Sequence, residues 1–268
     1  MYKRIWLVGL LVVLWAGCRE SSEPEAVEAE DYESHWGYDE ADGPGVWADL
    51  SPEFLLCREG QAQSPIDLTD AQPADLDPMG MNYQPATLRI IRHEHLVDVI
   101  NSGHTIQINY DEGSTITVEA TEFELAQYHF HVPSEHNVDG KSFPMEMHLV
   151  HVSEQGEIAV VGVLIEEGNH NPAFDPVVEH IPLESGDEEH LEHVQVQIDD
   201  LLPADRSTLR YSGSLTTPPC SEGVHWLVFV QPLELSSQQI QSFARVISGN
   251  NRPLQPHNGR DLLLHRSP

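Results

Sequence analysis

Two short segments constrain the fold of this chain more than any other feature: Gln127-Tyr128-His129-Phe130-His131 and Glu146-Met147-His148. Side chains alternate faces along a β-strand, so His129 and His131 point the same way, roughly 7 Å apart. Between the segments, Asn137, Asp139 and Gly140 carry enough turn chemistry to reverse the chain. Residues 145–152 are then expected antiparallel to the first strand, bringing His148 beside the other two histidines. Three neutral imidazoles with a fourth position left to water are the arrangement of catalytic zinc, whereas structural zinc is usually closed by four ligands, most often including cysteines. No cysteine lies near these segments, so an open Zn2+ site is expected. A ligating imidazole also needs an acceptor for its other ring nitrogen. Gln127 shares the face of His129 and His131, and Glu146 that of His148, so both are candidate supports. His151 falls on the opposite face from His148 and is expected outside the site.

Short apolar, β-branched segments separated by turn signals dominate the chain: 86–93, 96–101, 105–110, 114–120, 122–132, 145–153, 158–166, 209–211 and 224–232. Helical spacing is confined to 172–180, 187–199 and 236–248, the last begun by Ser236 as N-cap. The second of these lies in an acidic stretch, 184–200, whose Leu191, Val194 and Ile198 suggest a solvated surface helix. With 268 residues, 40% of them hydrophobic, one substantial core is affordable. The expected fold is mainly β: a single domain on a large, twisted, mostly antiparallel central sheet with peripheral helices.

Residues 1–17 read as a signal peptide, with Lys3 and Arg4 before an apolar run too short for an ordinary membrane span. The sequence Leu14-Trp15-Ala16-Gly17-Cys18 resembles a bacterial lipoprotein cleavage site, which would make Cys18 the lipidated first residue; simple secretion and an uncleaved anchor are the alternatives. Residues 18–34, rich in Glu, read as an acidic disordered tether, leaving 35–268 as the folded domain. The expected location is the periplasm or cell envelope. The whole chain has 44 acidic and 13 basic residues, a net of −31; removing Lys3 and Arg4 with the leader leaves 44 against 11, or −33. That charge argues against nucleic acid as a partner. Cys57 and Cys220 are the other cysteines, and outside the cytoplasm two cysteines are most simply a disulfide, with free thiols the alternative.

The histidine segments, together with Ser134-Glu135-His136, Glu146-Met147-His148-Leu149-Val150-His151 and Gly213-Ser214-Leu215-Thr216-Thr217-Pro218-Pro219-Cys220, resemble the α-class carbonic anhydrases of bacterial type. The resemblance runs from His35-Trp36-Gly37-Tyr38, through Gln63-Ser64-Pro65-Ile66 and Asn101-Ser102-Gly103-His104, to Asn250-Asn251-Arg252-Pro253-Leu254-Gln255-Pro256. It implies reversible hydration of carbon dioxide to bicarbonate by zinc-bound hydroxide, a chemistry for which this family is the standard example of a bound water with pKa near 7. A side activity on activated esters is also implied.

By the same resemblance, Thr216 donates its proton to Glu135 and accepts the hydrogen bond of the hydroxide, aiming it at the substrate. Val150, Val160, Leu215, Val224 and Trp226 form the apolar wall for carbon dioxide, and Thr217 contacts bicarbonate. His104 matches the proton shuttle, and Cys57 with Cys220 the disulfide of bacterial members. Ser102 departs from the asparagine that many members carry near the shuttle. A homodimer is compatible with the resemblance, although no interface is legible. Two rival readings are weaker: a recognition module that has lost its ligands does not fit the complete histidine, Glu135 and Thr216 set, and a zinc-storage protein does not fit such scattered histidines.

Overall fold

Alternation along the histidine-bearing strands separates a core on each face of the sheet. The computed structural model describes residues 35–92, 104–184 and 188–267. The expected signal peptide, Cys18, the acidic segment, the expected strand 96–101, Ser102, His93 and His95 lie outside the described residues. The principal strands are β1 Ala86–Arg92, β2 Ile106–Asn109, β3 Thr121–His131, β4 Met145–Ser153, β5 Ile158–Glu167, β6 Glu188–Val196, β7 Thr208–Ser214, β8 Glu222–Phe229 and β9 Leu263–His265. They lie side by side in the order β6-β1-β2-β3-β4-β5-β8-β7-β9 within one sheet of thirteen strands among the described residues. These neighbours pair antiparallel except at β5 and β8, which run parallel. The fold is mainly β and mostly antiparallel, as expected.

On β4, Met145, Met147 and Leu149 join a large core with Val161, Val163 and Phe130, while Val150 joins Val160, Tyr211 and Trp226 in a smaller core on the other face. The helix Ser237–Ala244 covers the large core. Its N-terminus is a capping box: Ser236 accepts from Gln239 N–H, and the Gln239 side chain accepts from Ser236 N–H. The helix drives Phe243 against Phe130, ring centroids 4.5 Å apart, a burial worth roughly 1.5–3 kcal/mol. The segment expected to be helical at 172–180 forms a 3-10 turn, Pro172–Phe174, and then a helical turn, Asp175–Val178.

β3 does not keep one phase. A bulge between Leu125 and Gln127 shifts its register against β4, so Phe123 and Leu125 enter the large core while Gln127, His129 and His131 emerge on the opposite face. One extra residue re-aims the second half of the strand, as bulges beside functional sites commonly do.

The acidic stretch corrects the helical expectation: Glu188–Val196 is the edge strand β6, paired antiparallel with β1. The physical reason is another irregularity. Leu191 pairs with Leu88, but the next partner of β1 is Gln195, opposite Thr87. The intervening residues bring Leu191 and Val194, three apart, onto the same core, and a 3-10 turn, Ile198–Leu201, buries Ile198 beyond them. A bulged strand thereby imitates helical periodicity. His190, Glu192 and His193 stay exposed along this edge, which discourages pairing with another chain.

Candidate active site

The shifted half of β3 and the even-numbered residues of β4 supply three imidazoles. His129 is the register partner of His148, and His131 that of Glu146. Ring centroids lie 5.1 Å apart for His129 and His131, 5.3 Å for His129 and His148, and 4.6 Å for His131 and His148. One ring nitrogen from each lies within 4.8 Å of the other two. The opposite nitrogens face acceptors: His129 Nδ1 hydrogen-bonds Gln127 Oε1 at 2.8 Å and His131 Nδ1 the Asn250 carbonyl at 2.7 Å, while His148 Nε2 lies 3.0 Å from Glu146 Oε1, an ion-pair distance without hydrogen-bond alignment. Each of the two acceptor oxygens requires an N–H, so Nε2 of His129 and Nε2 of His131 retain their lone pairs, and the Glu146 carboxylate beside His148 Nε2 favours the proton there and the lone pair on Nδ1.

Burial pushes all three pKa values down, that of His131 to about 4 and that of His129 well below the ordinary value. The rings are therefore neutral near pH 7, the form that binds metal. His131 Nε2 is buried with no hydrogen-bond partner, and a metal ion held by the three rings would satisfy it. The donor set fits zinc.

Glu146 is the more heavily used support. Its Oε1 also lies 2.7 Å from His136 Nδ1, and its Oε2 accepts the backbone N–H groups of Glu135 and His136 at 2.9 and 2.8 Å. Burial works to raise the Glu146 pKa, but His136 and His148 outweigh it and hold the carboxyl well below its usual range. Gly162, opposite His148, makes room: a Cβ there would come within 3.1 Å of Glu146 Oε1.

Glu135 stands on the other side of the imidazoles, its Oε2 3.6 Å from His131 Nε2 and 3.9 Å from His148 Nδ1. Its Oε1 accepts the Arg252 backbone N–H at 2.8 Å, and the Thr216 side chain hydrogen-bonds the same carboxyl group. Burial raises the Glu135 pKa to about 7, against the opposing pull of His148 and these two hydrogen bonds.

The candidate wall residues come from separate strands. Val150, Val160 and Trp226 are successive register partners across β4, β5 and β8, on the face that carries His148. The Trp226 ring is 4.9 Å from that of His148, and its Nε1 donates to the Ser214 carbonyl at 3.0 Å. Val224 is buried in the same small core, and Leu215 packs against it half-buried. Thr217 is buried beside Thr216, and its carbonyl accepts Cys220 N–H at 2.9 Å. Cys57 and Cys220 are joined in a disulfide.

His104 is half-buried, with a left-handed φ of 48°. Its Nε2 lies 3.1 Å from the Trp36 carbonyl, and its ring meets those of Trp36, Tyr38 and His35 at 5.8, 5.9 and 6.5 Å.

Three participants were not assigned a role from sequence. Asn250 holds His131 through its carbonyl and Val132 N–H through its side chain; Arg252 holds Glu135; His136 bridges Glu146 and the Tyr211 hydroxyl. Asn250 is 119 residues from its histidine, beyond any periodic signal. His136 had one clue, its adjacency to Glu135.

A model of the eukaryotic-type carbonic anhydrase family matches residues 42–266. A carbonic anhydrase of Pectobacterium carotovorum is 42% identical over 232 residues, spanning 86% of this chain and 91% of that protein. One of Klebsiella pneumoniae is 40% identical over 235 residues, spanning 87% and 92%. The solved structure of an α-carbonic anhydrase from Thermovibrio ammonificans, in complex with the inhibitor sulfanilamide, matches with a TM-score of 0.80 at 42% identity, covering 86% of this chain and 99% of that one. The chain belongs to the α-class carbonic anhydrase family. It is an enzyme, a lyase whose reaction is the hydration of the small molecule carbon dioxide.

Proposed function

We propose that His129, His131 and His148 hold zinc and that Thr216, Glu135 and His104 complete a carbon dioxide hydratase. The observation that carries this reading is the convergence of three buried, neutral imidazoles, each with its outer nitrogen beside an acceptor. A zinc ion there would supply the Lewis acidity that makes water nucleophilic near neutral pH, for which carbonic anhydrases are the standard example, and its charge would favour ionised Glu135. Gln127, Asn250 and Glu146 keep the ligand tautomers fixed. Thr216, with its own proton committed to Glu135, presents only an acceptor to the attacking oxygen and so selects its orientation. Val150, Val160, Leu215, Val224 and Trp226 offer carbon dioxide an apolar surface, Thr217 meets bicarbonate, and His104 passes the released proton to buffer.

Stopped-flow hydration of carbon dioxide, with zinc counted per chain, tests the reading. Fast turnover should vanish on chelation and return with zinc. His104→Ala should slow turnover at low buffer concentration and recover when imidazole is added, whereas unchanged turnover would remove His104 from the proton path. Hydrolysis of 4-nitrophenyl acetate, lost with the same metal, tests the esterase activity. We also propose export to the periplasm or cell envelope, with residues 1–17 as signal peptide, Cys18 as lipid anchor and residues 18–34 as tether. Labelled palmitate entering the chain but not its Cys18→Ser variant would support the anchor. Sedimentation of the folded domain tests for a homodimer.

A further inference from the structure

Behind Glu146, a chain of buried side chains runs away from the three imidazoles. Two backbone N–H groups pin Glu146 Oε2, so the placing of Oε1, 3.0 Å from His148 Nε2 and 2.7 Å from His136 Nδ1, falls to its side-chain neighbours. The far side of the His136 ring meets Tyr211, whose hydroxyl oxygen lies 2.7 Å from Nε2. That hydroxyl in turn donates to Ser64 Oγ at 2.9 Å. Ser64, His136, Glu146 and Tyr211 are all buried, so no member of the chain can turn to bulk water instead.

The far end of the chain is anchored. Ser64 and Ser214 clasp each other, Ser64 N–H donating to Ser214 Oγ at 2.9 Å and Ser214 N–H to Ser64 Oγ at 3.0 Å. Gly213 makes room for the clasp: a Cβ there would overlap Ser64 Oγ and come within 2.8 Å of the Tyr211 ring. Tyr211 lies parallel to its register partner Trp226, with 8° between the rings, and the His136 ring stands edge-on to both, at 5.8 and 4.8 Å. Trp226 Nε1 is already spent on the Ser214 carbonyl, so it is the Tyr211 hydroxyl that answers His136 Nε2. An unanswered buried nitrogen is costly. Removing the hydroxyl would let the His136 ring turn and draw Glu146 Oε1 with it.

We infer that Tyr211 is a positioning residue for the metal: its hydroxyl, held by Ser64, fixes the His136 ring, which fixes Glu146 Oε1 and, through it, the His148 imidazole. The inference rests on the three-histidine reading and carries the support of His148 beyond His136, to Tyr211 and Ser64.

Tyr83 supplies a matched control. Its hydroxyl also meets a buried imidazole nitrogen, His151 Nε2 at 3.0 Å, but in the large core on the other face of β4. Tyr211→Phe and Tyr83→Phe each delete one buried hydroxyl, and both should lower the midpoint of urea unfolding of the metal-free protein. Zinc affinity, measured by chelator competition, should fall about three- to tenfold in Tyr211→Phe, less than for an immediate support, and stay within about twofold of the unaltered protein in Tyr83→Phe. The visible absorption of the cobalt-loaded protein, which reads ligand geometry rather than stability, should shift in the first variant and not in the second. An affinity unmoved by Tyr211→Phe, one lowered equally by Tyr83→Phe, or a fall without a shift in cobalt absorption would overturn the inference. If Tyr211→Phe does not fold, Ser64→Ala, which removes the acceptor of the Tyr211 O–H, decides by the same two measurements. Zinc affinity unchanged in His148→Ala would instead overturn the three-histidine reading, and this inference with it.

Discussion

His148 and His151 lie three residues apart on β4, at 1% and 0% exposure, yet their surroundings differ in kind. His148 has Glu146 against Nε2 and three further imidazoles, those of His129, His131 and His136, in ring contact. His151 points into the large core, where the Tyr83 hydroxyl meets its Nε2 at 3.0 Å and only the Ala159 and Leu149 backbone works against burial. Burial lowers both pKa values, that of His151 to about 3, while the Glu146 carboxylate opposes the effect at His148. Burial alone therefore makes an imidazole neutral. Becoming a ligand takes more: an acceptor that fixes which nitrogen keeps its lone pair, and neighbours aimed at the same point.

The severest test of this contrast is to remove each ring. His148→Ala should reduce carbon dioxide hydration to the buffer background and deplete bound zinc, whereas His151→Phe should keep both, as read by stopped-flow and metal analysis. Equal losses would erase the distinction. A smaller effect is expected from Glu146→Gln, which breaks the buried 2.7 Å pair with His136 as well as the support of His148. Zinc affinity should fall about 10- to 100-fold and stability by about 3–5 kcal/mol, measured by chelator competition and urea unfolding. Gln127→Ala should lower affinity toward the gentler end of that range, about tenfold, because it leaves the His136 pair intact.

A quieter consequence concerns pH. The folded-state pKa of His151, about 3, lies below the ordinary 6.5, so between those values the unfolded chain binds the extra proton. The contribution of neutral His151 is complete above about pH 6.5 and is lost progressively as pH falls toward 3. His151→Phe should remove about 1 kcal/mol of the stability lost between pH 6.5 and 5.5, seen in urea unfolding of metal-free protein. An unchanged slope would mean that His151 does not stay neutral in the fold. The smallest effect belongs to Lys141→Gln: its 3.8 Å contact with Glu166 is largely exposed, so stability should change by less than about 0.5 kcal/mol.

Much of the site was legible because it obeys strand parity. Gln127, His129 and His131 alternate outward together, and Glu146, His148 and Val150 do the same one strand away. The supports of His129 and His148 followed from the same rule; that of His131 did not, because Asn250 arrives from a loop with no periodicity. Parity also hides its own interruptions. The bulge after Leu125 leaves no mark in residue types, and the irregular pairing of Leu191 and Gln195 made an edge strand look helical.

Local spacing by itself determined that this protein is built on strands and that three histidines can meet, since alternation and turn chemistry act over a few residues. Tertiary structure decided which oxygen lies against each imidazole and where β3 changes face. Those outcomes depend on groups as far apart as Glu135 and Arg252, 117 residues along the chain, brought together when the sheet closes over its two cores.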